Sequence, residues 1–185
     1  MKEFQEQKTK IKKGRTAKEC AYVAVFVALV IALQVVFSAI PGVELVTVMF
    51  VSFSFVMGIR RGMISATCFS LLRQMIFGFF PKVLILYFVY FNVLTLFFGI
   101  VGKSIKNKLK FLPIIVILAC FCTVCFTMFD NILTPLWYGY SERATKLYFK
   151  ASLPFMIPQV ISTAVSTAVL FFPLSQVFQT LKRSL

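Results

Sequence analysis

The stretch Met128-Phe-Asp-Asn-Ile-Leu-Thr-Pro-Leu-Trp-Tyr138 puts an acid and an amide, Asp130 and Asn131, inside an apolar run long enough to cross a bilayer. A carboxylate at the centre of a membrane helix costs roughly 2.5 kcal/mol or more. Such a group persists where it faces protein or a water-filled cavity, usually with a partner. Pro135 has no N–H, so the carbonyl of Asn131 loses its helical donor. Trp137 and Tyr138 follow within a turn or two. The sequence therefore predicts a membrane bundle that supplies this patch with polar neighbours.

Composition supports that class. The 185 residues are 59% hydrophobic and 14% charged, with 23 Phe. Soluble domains carry nearer ~25% charge. The net charge of +14 does not point to nucleic acid, because the basic residues sit at the ends of apolar runs. The first apolar run is too long for a cleaved signal peptide and lacks a small-residue cleavage pattern. There is no His, which removes the commonest metal ligand and general base. Cys122 and Cys125 form a C-x-x-C inside a membrane helix with no second pair, and read as apolar filler. No catalytic residue, metal site or cofactor is expected, and the chain does not read as an enzyme.

From the patch outward, the apolar runs read as six spans. Residues 1–19 form a flexible or interfacial basic arm suited to anionic lipid, residues 20–175 the membrane domain, and residues 176–185 a cytoplasmic tail. The spans run about 20–40, 44–58, 62–80, 82–102, 111–138 and 151–173. The first carries Ala24, Ala28 and Ala32 at four-residue spacing, which stacks small side chains on one face and suits either internal packing or docking of another helix. Pro41-Gly42 reads as a turn. Glu44 follows it, at a helix N-terminus where an acid is favoured. Gly58-Ile-Arg-Arg-Gly62 reads as a basic surface turn whose G-x-x-x-G spacing is not a packing face. Lys103–Lys110 is a basic connector, and Tyr140–Lys150 a mixed-charge loop. Fifteen of the 20 Lys/Arg fall in segments on the side of the termini and four on the other. The positive-inside rule then places both termini in the cytoplasm.

Topology assigns depth. Asp130 and Arg73 each lie seven residues from the outer end of their spans, roughly 10 Å down. Gln159 lies roughly 13 Å below its loop. Glu44 is at the outer mouth, and Asn92 is nearer the middle. The inner halves of the spans hold no comparable charge. An Arg73–Asp130 pair fixing the bundle would leave Gln74, Asn131 and Gln159 unexplained. A compact bundle with an outward-facing polar pocket for a small solute explains them. The rival is a small membrane assembly protein, held by the Arg73–Asp130 pair and without a ligand. No Walker-type glycine loop is present, so the chain does not itself use ATP.

The chain from about Thr16 to Lys182 resembles the substrate-binding (S) components of energy-coupling-factor vitamin transporters. The resemblance rests on the alanine ladder, on Ile40-Pro-Gly-Val-Glu-Leu-Val46 with the Gly58/Gly62 turn, and on Phe129-Asp-Asn and Pro158-Gln. It implies an S component in a prokaryotic plasma membrane that captures a vitamin outside. That component then docks on a transmembrane coupling subunit driven by two ATPase subunits. It implies Ala24, Ala28 and Ala32 as the docking face. Glu44, Asn92, Asp130, Asn131, Trp137 and Gln159 become ligand contacts, with Arg73 in a less central role. The Pro-Gly-Val-Glu-Leu-Val segment is closest to members assigned to cobalamin or related B vitamins.

Overall fold

A computed structural model describes residues 2–40, 43–105 and 110–184, with side chains from residue 16 onward. Six helices form it: α1 (Lys2–Phe37), α2 (Val46–Met57), α3 (Ile59–Phe77), α4 (Pro81–Ser104), α5 (Leu112–Tyr138) and α6 (Glu142–Arg183). No strand occurs among the described residues. Four segments are long and apolar enough to cross a membrane: Thr16–Phe37 of α1, and the whole of α4, α5 and α6. The Pro41-Gly42 turn and residues 106–109 of the basic connector lie outside the described residues.

α2 is the axis of the bundle. Its 12 residues are all buried, and it touches each of the other five helices. Its length, about 18 Å at 1.5 Å per residue, falls short of the roughly 30 Å hydrocarbon core. The span expected over 44–58 is therefore a short internal helix, preceded by the irregular segment 43–45. The apolar run marked the helix but not its length. α3 has 19 residues, enough to cross, but Arg60, Arg61 and Arg73 interrupt its apolar character.

Chain breaks follow local chemistry. Gly58 separates α2 from α3 with φ +89°, a conformation that a Cβ disfavours. α3 starts at once, so Arg60 and Arg61 lie in its first turn. Gly62 is buried, and a Cβ there would meet Ser54 Oγ at 2.9 Å and Thr95 Cβ at 3.1 Å. The expectation of a surface turn is corrected: Gly62 is where α3 crosses α2 and α4. Pro81 opens α4, and Gly139 closes α5 with a left-handed C-cap.

α6 overturns another expectation. The mixed-charge segment 140–150 is not a loop. Ser141 caps α6 by accepting from Ala144 N–H, and the helix runs for 42 residues through Pro154, Pro158 and Pro173. Its last turns, read from sequence as a tail, belong to the bundle: Phe178 is buried and Lys182 Nζ donates to the Val56 carbonyl at 2.6 Å. The basic arm is likewise helical, as the first turns of α1.

Candidate functional site

The two ends of the bundle differ. The end bearing the chain termini is packed with aromatic rings. Phe26 stacks on Phe53 at 3.9 Å between centroids, and Phe178 meets both edge-on. There Arg61 pairs off with Glu19 at 2.6 Å, whereas the opposite, distal end holds Glu44 and Arg73 without an ion pair among the described residues.

The centre of the distal end is Glu44, in the irregular segment before α2. α6 clasps its backbone: its N–H donates to Ser162 Oγ at 2.8 Å, and its carbonyl accepts from Ser166 Oγ at 3.2 Å. Its carboxylate caps α2, with Oε1 accepting from the Thr47 N–H at 3.1 Å and from Thr47 Oγ1 at 3.0 Å. An acid is favoured at a helix N-terminus by the dipole. Glu44 is partly buried, and no described residue forms an ion pair with its carboxylate.

Two cavities meet at this residue. An inner chamber of about 50 Å³ is lined by Tyr87, Tyr90 and Phe91 of α4, Thr123 and Phe126 of α5, and Gln159 of α6. An outer cleft of about 250 Å³ lies between the end of α1, the segment before α2, and Arg73 and Phe77 of α3. Gln34, Glu44 and Val46 line both. Together these volumes reach the lower end of small-molecule pockets, roughly 300–1,000 Å³. The chamber wall is aromatic, with Tyr90 against Phe126 at 4.7 Å and Tyr87 against Phe126 at 5.7 Å. Two polar atoms lining it have no partner, the Tyr90 hydroxyl and Gln34 Oε1. An unmet buried polar group costs roughly 1–3 kcal/mol, and these two stand beside the Glu44 carboxylate.

Arg73 does not meet Asp130. Its guanidinium lies over Tyr87 at 4.1 Å and Phe77 at 4.9 Å, and its Nε is buried without a partner. Asp130 instead accepts from Lys82 Nζ at 2.7 Å, Thr134 Oγ1 at 3.0 Å and Tyr148 OH at 2.9 Å. The reason is helix adjacency: α5 touches α4 and α6 but not α3. The Arg73–Asp130 pair on which the ligand-free assembly protein depended does not form. Its place is taken by a Lys82–Asp130 pair joining α4, α5 and α6.

The other expected site residues separate. Gln159 lines the chamber and faces the Glu44 carboxylate. Asn131 donates to Ser152 Oγ at 2.7 Å; with Asp130 and Gln159 it lines a lateral cavity of about 320 Å³ between α5 and α6. Asn92 lines none of these cavities. It accepts from Thr67 Oγ1 at 3.3 Å and donates to the Phe88 carbonyl, joining α3 to α4. Trp137 is 47% exposed, lines none of them, and suits the interfacial aromatic position. Gln74 is spent on the α3–α4 turn, accepting from Phe80 N–H at 3.0 Å. Sequence reasoning missed Gln34 and Thr123. The signal for Gln34 was available, since it is the one amide in the first apolar run.

Ala24, Ala28 and Ala32 are all exposed, as are Ala17 and Ala21. Internal packing thus does not account for the ladder. The chain is a helical membrane protein with an acidic, aromatic-walled internal cavity. No family model matches it, and neither a curated protein nor a solved structure does.

Proposed function

We propose that this chain is the substrate-capture subunit of an energy-coupling-factor importer, taking a small B vitamin or related micronutrient from outside the cell. Both termini are cytoplasmic, the distal cavities open outward, and each of the six helices makes one passage of the membrane of a prokaryotic cell, with α1 and α6 extending beyond it. α2 makes its passage sheathed by the other helices, and segment 43–45 completes it. Irregular backbone at membrane depth is tolerated where it lines a cavity or is buried in protein.

One observation carries the reading: the chamber and cleft joined at Glu44, with Tyr90 OH and Gln34 Oε1 left unpaired beside it. Unmet buried hydroxyls also occur at Ser52, Ser54 and Ser175; what favours a binding protein is that these two atoms lie at a cavity beside a carboxylate. The cavities suit a small vitamin; a corrinoid would need the cleft to open. The exposed alanine ladder supplies a face for a coupling subunit, which with two ATPases would power release inward. The chain binds its cargo and does not transform it.

The test is thermal stability of the purified protein against a vitamin panel. A ligand present at 100 times its Kd and bound only to the folded state adds about 2.7 kcal/mol. If no vitamin raises the midpoint, the capture reading falls.

A further inference from the structure

We infer that the ligand of this site is a dipolar molecule, whose cationic group is taken by Glu44 and whose anionic group by Arg73. The inference rests on the capture reading and names the chemistry of its cargo.

Glu44 and Arg73 carry opposite charges and line the same cleft, yet neither forms an ion pair with the other or with any described residue. Each is tied down separately. Glu44 is fixed by its cap on Thr47 and by the two α6 serines. Arg73 is stacked on Tyr87 and Phe77. The two charges therefore do not collapse onto one another, and the cleft keeps a negative and a positive pole.

That arrangement selects by sign. A purely cationic ligand would satisfy Glu44 and be opposed by Arg73; a purely anionic one would meet the reverse. A neutral ligand would displace water from both charges and compensate neither, which is the costly outcome. A molecule bearing both signs answers both poles at once. The aromatic chamber wall beside Glu44 adds to this, because ring faces attract a cation. The unpaired Gln34 Oε1, on the boundary of the two cavities, offers the cationic group one further acceptor.

The experiment uses the full chain in non-ionic detergent, so that no lipid phosphate competes for Arg73. Thermal midpoints are measured with aromatic amino acids and pyridoxamine 5′-phosphate, which bear both signs. The comparison compounds are thiamin (cationic), nicotinate and pantothenate (anionic), and riboflavin (neutral). The expected result is that the strongest stabiliser bears both signs. Glu44→Gln and Arg73→Gln should each weaken that compound's binding about 30-fold or more, since stripping one partner from a close charge pair costs about 2 kcal/mol or more. If a compound of one sign, or a neutral one, is the strongest stabiliser, the dipolar inference falls and the capture reading stands. If no compound stabilises the protein, both fall. The ranking on the unmodified chain decides between these outcomes even where a variant fails to fold.

Discussion

At the terminal end of the bundle, Phe26, Phe53 and Phe178 fill space with rings in mutual contact. At the distal end, Glu44, Arg73, Lys82 and Asp130 sit around cavities, with several polar atoms unpaired. The same helices build both. In lipid, helices gain little from hydrophobic association, so tight contact is what holds them together. The terminal end supplies that contact. The distal end has ring contacts of its own, such as Tyr90 on Phe126, but leaves Glu44 and Arg73 without an ion pair among the described residues, whereas Glu19 and Arg61 pair at the terminal end. The difference lies in how charge is held: paired at the terminal end, and left unpaired at Glu44 and Arg73.

The comparison breaks most sharply under Phe53→Ala. In a water-soluble core such a change costs about 3–5 kcal/mol. Part of that is transfer from water, which a bilayer does not supply, so about 2–3 kcal/mol is expected here. Unfolding in graded denaturant measures it, and a loss below about 1 kcal/mol would mean the terminal end is not the stable half.

Lys82→Met comes next. It strips Asp130 of its cation in a setting where the two side chains keep 12% and 25% of their exposure. Removing one partner of a fully buried pair costs about 3–5 kcal/mol; partial solvation brings this to about 1–2 kcal/mol. Adding Asp130→Asn should restore most of the loss, because the uncompensated charge goes with it. A double variant no more stable than Lys82→Met would show that Lys82 acts through something other than Asp130.

Glu44→Gln should change the ligand-free stability by about 1 kcal/mol or less, since the amide oxygen can still cap Thr47. The stabilisation by ligand should fall from about 2.7 to about 1 kcal/mol or less at a concentration 100 times the unmodified protein's Kd. A large drop in ligand-free stability would make Glu44 a structural cap before all else. Ala28→Leu is the mildest. On an exposed face, it should shift stability by about 0.5 kcal/mol or less. Co-purification with the coupling subunit should be lost, and retention of the complex would remove the ladder from the docking face.

Sequence was most informative where punctuation is chemical. Pro81 marks the start of α4, and Gly139 the end of α5, within a residue or two of the expected bounds. It was least informative where charge imitated a loop. Glu142, Arg143, Lys146 and Lys150 read as a connector, although Ser141 ahead of Glu142 was a capping signal for α6. For the site, sequence supplied height but not direction. Glu44, Arg73, Asp130 and Gln159 do gather at one end, as depth predicted. Which of them face one another depends on helix adjacency, and that is set by packing. α3 and α5 do not touch, so Arg73 and Asp130 stayed apart; Asn92 turned toward α3 and left the cavity wall to Tyr87, Tyr90 and Phe91.

α2 has one more consequence, for how the protein is made. A helix with no exposed residue has no lipid face, and its coat includes α6, which is made well after it. Until α6 arrives, α2 lacks one wall and Glu44 lacks the serines that hold its backbone. The cluster around Glu44 is therefore assembled only once α6 has been made. A chain cut short before Glu142 would carry most of the site's residues and still have no site.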